Sequence, residues 1–374
     1  MVIQRRSKLS AVIISFSWIF MIIVGTFFIL LAYNFIDKYL ETERGKELAA
    51  SKNSLRTALI TVGTTSGIED TKLDLLPNFF ESSTVKIVCN DKLPILFING
   101  KADTQSELLR KIPTFMTEID EGKLDTTYLA VESFRLPFKV SNLIAIVSKS
   151  NYIYFDNRTE IGKELLIKFR KSSYKNLTYL SDDFADLSTL ASELKKRKVS
   201  SVVLVSDGTQ GLSSSNLEVF GDNVYLVNIM KDEDSLYSGT IEYITKKETV
   251  SYPYIDVGER LALPTMAVFS SPEAFECAYA LLEEETTAVL SYYILKAKVF
   301  LSELETSENK ILCRSIDNSF EQTFLYEAVL TQLEELNEIF ESTKFNNPGE
   351  LEDHIEALQK AEDELGEFSC PYVY

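Results

Sequence analysis

The sequence predicts a mixed α/β plus α protein whose globular part is joined to one N-terminal transmembrane helix. Three observations lead there: an uncharged apolar run near the N-terminus, alternating strand-like and helix-like segments in the middle, and apolar residues at helical spacing in the last third. We expect six segments: a cytoplasmic tail (1–10), a transmembrane helix (11–33), a juxtamembrane helix (34–62), a strand-rich region (63–150), a Rossmann-like α/β unit (151–265) and a helical bundle (266–374).

The transmembrane prediction comes from residues 11–33, which contain no charged side chain. At a rise of roughly 1.5 Å per residue this run reaches about 35 Å, enough to cross a hydrocarbon core of roughly 30 Å. A secretory signal peptide is the alternative, but its apolar region is shorter and ends in a small-x-small cleavage site. No such site follows here, so we expect an uncleaved signal anchor.

The orientation of the anchor is predicted from its flanks and from two glycosylation sequons. Arg5, Arg6 and Lys8 precede the helix, which favours a cytoplasmic N-terminus. Asn157 and Asn176 each begin an Asn-x-Thr sequon, and all four cysteines follow the helix. We therefore expect a single-pass cell-membrane glycoprotein with an extracellular C-terminal domain. The reverse topology is the alternative.

The charge of the chain limits its partners. Its formal net charge is −18, with 56 acidic and 38 basic residues. Nucleic acids and anionic lipid surfaces attract basic proteins, so neither is an expected partner. The remaining expectation is contact with other proteins, including self-assembly, in addition to the membrane.

Apolar spacing suggests that the membrane helix continues as a juxtamembrane helix over residues 34–62. Short alternating or apolar runs then predict strands, interrupted by prolines, at 84–89, 95–98 and 143–147.

The α/β unit is the part of the sequence whose strands and helices are predicted most clearly. Apolar runs predict strands at 152–155, 177–180, 201–205 and 224–229, with a further edge strand at 240–244. Amphipathic helices are expected at 161–170 and 184–198. Strands that alternate with helices imply right-handed crossovers, and hence a small, mostly parallel three-layer unit.

The last third of the chain predicts three helices. They cover 272–306, 318–342 and a segment that begins at Pro348. Short connections between them favour an up-down-up three-helix bundle.

The cysteines suggest disulfide bonds. Cys313 and Cys370 fall at the same end of an up-down-up bundle and could pair, which leaves Cys89 as the candidate partner of Cys277. Four cysteines allow three connectivities, and the sequence does not choose among them. Four free thiols are the alternative, and they are expected if the domain is cytoplasmic.

Acidic residues follow the first three strands of the α/β unit: Asp156, Asp182 with Asp183, and Asp207. The carboxyl ends of parallel strands meet at one edge, where ligands commonly bind. Carboxylates gathered there could hold Mg²⁺ or Ca²⁺. The alternative is that these aspartates cap helices or begin turns.

Catalytic and cofactor signatures are missing. The sequence has no phosphate-binding Gly-x-x-x-x-Gly-Lys, no Gly-x-Ser-x-Gly and no His-Glu-x-x-His. The single histidine, His354, is expected at the surface of the last helix. The sequence therefore predicts no cofactor and favours a non-enzymatic role.

The N-terminal layout resembles that of type IV pilin-like proteins, especially archaeal ones. A short basic leader meets the apolar helix at Leu9-Ser10-Ala11, and the helix runs on toward the exterior. The resemblance implies a helix that packs in the membrane or in a filament core, and a globular head that projects from it. The glutamate common at the fifth mature position of the family is absent.

Two functions are consistent with these patterns. The first is a membrane-anchored extracellular surface or assembly subunit that acts through protein–protein contacts, with the pilin-like form that the resemblance implies. The second is a membrane-tethered ectodomain that binds a divalent metal or a small ligand at the Asp-rich edge of its α/β unit.

Overall fold

A computed structural model describes residues 26, 38, 73–76, 85–90, 93–98, 101–103, 113–116, 127–148, 151–171, 178–182, 192, 201–208, 217–218, 220, 224–232, 238–255, 257, 261–306, 319–367 and 372–374. The chain divides into two compact units, Met1–Ala58 and Leu59–Tyr374. Of the first unit only Thr26 and Lys38 are described, and both are helical. The predicted transmembrane and juxtamembrane helices therefore lie almost entirely outside the described residues. Among the helices that are described, none has the length and apolarity needed to cross a membrane.

The second unit is a mixed α/β structure with three sheets in its described part. Its strands are β1 (Leu73–Leu76), β2 (Val85–Asn90), β3 (Leu93–Ile98), β4 (Lys101–Asp103), β5 (Thr114–Met116), β6 (Thr127–Arg135), β7 (Lys139–Ser148), β8 (Asn151–Asp156), β9 (Thr178–Asp182), β10 (Ser201–Ser206), β11 (Val224–Lys231), β12 (Ser238–Ile244) and β13 (Thr249–Ile255). Its α-helices are α1 (Glu160–Lys171), α2 (Ala262–Val268), α3 (Pro272–Thr306), α4 (Ser319–Thr343) and α5 (Pro348–Glu367).

The largest sheet has the strand order β13-β12-β11-β10-β8-β9. The four strands from β9 to β11 are parallel to one another, whereas β12 and β13 join as an antiparallel edge. The sheet is therefore mixed, and β13 extends it beyond the single edge strand expected. Pro253 lies within β13, a position that an edge strand tolerates because one side of its backbone has no neighbour.

Both faces of this sheet are apolar, because successive side chains of a strand alternate between them. On one face, Phe155 and Val205 join a large core that continues into the helices. On the other face, Tyr154 and Leu204 belong to a smaller cluster with Phe220. Burial on both faces explains why these strands read as nearly continuous apolar runs.

The strand-rich region forms two small sheets. One has the order β1-β6-β7-β5, built around the long β6–β7 hairpin, and the other is the antiparallel sheet β2-β3-β4. Helix α3 packs against strands of both, and α2 packs against the β6–β7 hairpin. Lys168 of α1 also pairs with Glu132 of β6 across 2.8 Å, which connects this region to the α/β unit.

The C-terminal helices run in alternating directions. The Lys344 ammonium, just after α4, lies 3.1 Å from the Glu283 carboxylate near the start of α3. At the opposite end, the rings of Phe300 and Tyr326 pack with centroids 5.6 Å apart. His354 of α5 is half-buried rather than fully exposed, and its Nδ1 lies 3.1 Å from Gln332 of α4. These contacts make α3, α4 and α5 successively antiparallel, the order expected from their short connections.

Candidate functional site

The first candidate site is at the carboxyl ends of the parallel strands. After β8 the chain continues to β9 on one side of β8, and it later returns to β10 on the other side. Strands β8 and β10 therefore flank a topological switch point, where open α/β sheets commonly bind ligands. Asp156 ends β8 and Ser206 ends β10, so both lie at this position.

Asp156 is fully buried, and Arg158 satisfies its carboxylate. The Arg158 guanidinium donates from Nε to Oδ1 and from Nη2 to Oδ2, each over 3.0 Å, and the Arg158 backbone N–H donates to Oδ1 over 3.1 Å. Such a bidentate contact fixes the orientation of the two side chains and balances the charge of the carboxylate. Asp156 is thus already neutralised by a side chain from its own loop.

The loop after β8 is shaped by the start of α1. Thr159 caps the helix: its Oγ1 accepts from the backbone N–H of Gly162 over 3.1 Å and donates to the Asp156 carbonyl over 2.9 Å. A Cβ at position 162 would meet that carbonyl oxygen at 2.2 Å, so only glycine allows α1 to start this close to the strand. The cap and the glycine together set the position of Arg158.

A row of polar residues crosses the sheet at the same level. Ser206 is opposite Asn228 on β11, and Asn228 is opposite Glu242 on β12. Strand alternation puts all three on the sheet face that carries the smaller apolar cluster, together with Asp156. The Asn228 amide donates from Nδ2 to Glu242 Oε2 over 3.0 Å. We call Asp156, Ser206, Asn228 and Glu242 the switch-point edge.

Two atoms of the switch-point edge are buried without a hydrogen-bond partner: Ser206 Oγ and Asn228 Oδ1. Ser206 is 0% exposed and Asn228 is 3% exposed. A buried polar atom left unpaired costs about 1–3 kcal/mol. Two of them on neighbouring strands, beside the half-buried Glu242, mark a place where an added donor would be favourable.

The aspartates predicted to bind a metal are only partly brought together. Asp156 and Asp182 are opposite each other on β8 and β9. Asp207 follows β10 and precedes Gly208, whose φ of 78° makes a turn, while Asp183 lies outside the described residues. Within the described part of the chain no group of three or more His, Cys, Asp or Glu side chains is placed to hold a metal ion.

The structure contains one of the disulfides that the sequence suggests. Cys89 of β2 is bonded to Cys277 of α3, with 5.4 Å between the two Cα atoms. This is the partner proposed for Cys277, and it ties the small antiparallel sheet to the start of the helical bundle. Cys313 and Cys370 lie outside the described residues.

The two sequons differ in what the structure describes. Asn157 is exposed in the turn after β8, next to the switch-point edge, while Asn176 lies outside the described residues. The exposed amide of Asn157 is compatible with a glycan, which would project from the rim of that edge.

The second candidate site is an apolar stripe on α3. Tyr292 and Leu295 are each 61% exposed and Val299 is 46% exposed. Their spacing of three and four residues places them on one side of the helix. Lys296 and Lys298 lie between them in sequence, and the Lys298 ammonium lies 2.8 Å from the exposed Glu334 carboxylate of α4. We call Tyr292, Leu295 and Val299 the α3 stripe.

A buried carboxylate lies at the end of the bundle. Glu362 of α5 is 3% exposed and accepts a hydrogen bond from the Val373 backbone N–H over 2.9 Å. Burial raises the pKa of Glu362 to about 7, although the Val373 N–H and the charge of Lys296 oppose that rise. Burial and the charge of Glu362 also raise the pKa of Tyr326 and of Tyr374.

Comparisons with protein-family models, with curated proteins and with solved structures give no match for this chain. Its function is therefore inferred from the two sites themselves. The sequence pointed to Asp156 but missed Ser206, Asn228 and Glu242. The available signal was the polar Asn228 inside the apolar run of β11, because a polar residue in a buried strand is informative.

Proposed function

We propose that the chain is a membrane-anchored extracellular surface or assembly subunit that acts through protein–protein contacts made by its helical bundle. The α3 stripe is the observation that carries this proposal. Large apolar side chains grouped on the outer side of a helix are typical of a surface that is covered by a partner. An isolated exposed apolar residue, such as Ile167 on α1, needs no such explanation.

The Cys89–Cys277 disulfide supports the extracellular side of the proposal. Structural disulfides persist in oxidising compartments and are rare in reducing ones. The uncharged run at residues 11–33 supports the membrane anchor, with the N-terminus cytoplasmic. The exposed sequon at Asn157 fits the same topology.

The partner that best fits the α3 stripe is a second copy of the chain. The stripe is accompanied by Lys296 in a chain whose net charge is −18, while Lys298 already pairs with Glu334 of the same chain. The outer surfaces of α4 and α5 carry many other exposed acidic side chains: Glu327, Glu335, Glu338, Glu341, Glu350, Asp353, Glu356 and Asp363. An apolar, lysine-bearing stripe on one copy complements this acidic surface on the next.

This pairing has a consequence for the form of the assembly. The stripe and the acidic surface are different parts of the chain, so the contact between copies is heterologous. Heterologous contacts close into rings or extend as filaments. A filament is the form that the pilin-like N-terminal layout favours, and the proposal therefore includes a pilin-like assembly.

The test is the oligomeric state of the full-length chain in detergent, measured by analytical ultracentrifugation over a range of concentrations. Leu295→Ser should weaken association roughly tenfold or more, because it removes a large apolar contact from the interface. Ile167→Ser is the matched control, since it removes an exposed apolar side chain of similar size elsewhere. A wild-type chain that stays monomeric, or equal effects of the two variants, would contradict the proposal.

A second candidate function is ligand binding at the switch-point edge. The unpaired Ser206 Oγ and Asn228 Oδ1 favour it. The two functions use different surfaces and do not exclude each other.

A further inference from the structure

The switch-point edge contains two buried oxygen atoms without a hydrogen-bond partner, Ser206 Oγ and Asn228 Oδ1. Asn228 presents its amide nitrogen to Glu242. This amide orientation is fixed by chemistry, because a carboxylate can accept a hydrogen bond from the nitrogen but cannot donate one to the oxygen. The Asn228 Oδ1 therefore takes no part in the contact with Glu242, and it is buried without a hydrogen-bond partner.

The distance between adjacent strands determines how many of these side chains one small bound group could contact. Ser206, Asn228 and Glu242 occupy matched positions on three adjacent strands, and adjacent strands are roughly 4.8 Å apart. One small group placed above Asn228 could therefore reach all three side chains. Ser206 and Asn228 are buried, whereas Glu242 is half-buried and provides the side from which such a group would enter.

The charges of the side chains at the switch-point edge determine whether a bound group should be cationic or anionic. The Asp156 carboxylate is balanced by Arg158, so it contributes little net charge. The Glu242 carboxylate has the neutral Asn228 amide as its neighbour on β11. The three available side chains offer a hydroxyl, an amide oxygen and a carboxylate, and together they carry one negative charge.

We propose that the switch-point edge binds the primary ammonium group of a small cationic ligand through Ser206 Oγ, Asn228 Oδ1 and the Glu242 carboxylate. An ammonium group has three N–H donors and no acceptor. Three oxygen acceptors, one of them charged, match it in number and in sign. A divalent metal also prefers oxygen ligands, but sites for such ions usually supply more than one free carboxylate.

The experiment measures the thermal stability of the full-length chain in detergent with added cations. The probes are ethylammonium, tetramethylammonium, Mg²⁺ and Ca²⁺, each titrated at constant ionic strength. A ligand that binds the native state raises its melting temperature as the concentration increases. Ethylammonium should do so, and tetramethylammonium should not, because it has the same charge but no N–H donor.

Two serine variants locate the effect. Ser206→Ala should weaken ethylammonium binding roughly tenfold, the size of one hydrogen bond to a charged group. Ser201→Ala is the matched control: Ser201 begins the same strand, is 2% exposed and also has an unpaired buried hydroxyl. It lies at the opposite end of β10, so its loss should leave binding unchanged.

Several results would overturn the proposal. They are no stabilisation by ethylammonium, equal stabilisation by tetramethylammonium, or equal losses in the two serine variants. Stabilisation by Mg²⁺ or Ca²⁺ alone would assign the edge to a divalent cation instead. Because Ser206→Ala removes only one oxygen atom that has no partner, we expect it to fold, and its melting temperature without ligand verifies this.

Discussion

Folded proteins usually bury apolar side chains and expose polar ones, and the two candidate sites depart from this pattern in opposite ways. The switch-point edge keeps unpaired polar atoms, on Ser206 and Asn228, inside the protein. The α3 stripe keeps large apolar side chains outside it. A few unpaired atoms can be satisfied by a ligand of a few atoms, whereas an apolar stripe needs the surface of another macromolecule. The difference therefore separates a small-ligand site in the sheet from a protein-contact site in the bundle.

A buried carboxylate in the sheet and one in the bundle differ in the groups that hold them. Asp156 in the sheet is held by the guanidinium of Arg158. Glu362 in the bundle is held by a backbone N–H, with the charge of Lys296 nearby, and burial raises its pKa to about 7. A buried carboxylate without an ion-pair partner gains stability by taking up a proton, which raises its pKa.

The largest predicted effect tests whether sheet and bundle form one cooperative structure. Phe275, at the start of α3, packs against Phe115, Tyr243 and Tyr252, with ring centroids 5.0–5.5 Å away. Phe275→Ala should lower the free energy of unfolding by about 3–5 kcal/mol through the cavity it leaves. Near-UV and far-UV circular dichroism should show one shared, lowered transition. Separate transitions would mean that the two regions fold independently.

The next effect concerns the covalent link between the regions. The Cys89–Cys277 disulfide closes a loop with a sequence separation of 188 residues. Replacing both cysteines with alanine should cost about 2–4 kcal/mol, mainly because the unfolded chain becomes less constrained. Denaturant unfolding of the double variant measures this. Peptide mapping of the untreated protein from its native membrane should recover the two cysteines linked; both as free thiols would contradict an extracellular location.

A smaller loss in the free energy of unfolding, on the order of 2 kcal/mol at pH 8, is expected from the ionisation of Glu362. Its folded pKa of about 7 lies above the ordinary value of 4.5. The folded state therefore holds this proton more tightly, and its contribution to stability is lost as pH rises from about 4.5 to about 7. Glu362→Gln cannot ionise, so its melting temperature relative to wild type should increase between pH 5 and pH 8. The exposed neighbour variant Asp363→Asn is the control, and a pH-independent difference would contradict the assignment.

Much of the α/β unit could be predicted from sequence because its strands are buried on both faces. Strands expected at 152–155, 201–205 and 224–229 appear as β8, β10 and β11. Strand β6 was missed, since Glu132, in the middle of its run, interrupts the apolar pattern. The order of strands within a sheet depends on contacts between distant segments, and no local pattern encodes it.

The candidate sites were less predictable for the same reason. Acidic residues after strands pointed to the edge that carries Asp156. Whether a carboxylate there is available depends on its partners, and the Arg158 guanidinium already donates to Asp156. The unpaired state of Ser206 emerges only when β10 and β11 are aligned. The α3 stripe was not predicted, because helical spacing identifies a face without saying which face is covered.

Contact between copies through the α3 stripe can be tested by site-specific photo-crosslinking of the full-length chain in its native membrane. A photoreactive side chain would replace Leu295 in one variant and Ile167 in another. We expect a crosslinked dimer from position 295 only, with the crosslink mapped to the acidic outer surface of α4 or α5 of a second copy. Equal yields at the two positions, or crosslinks from position 295 only within the same chain, would contradict it.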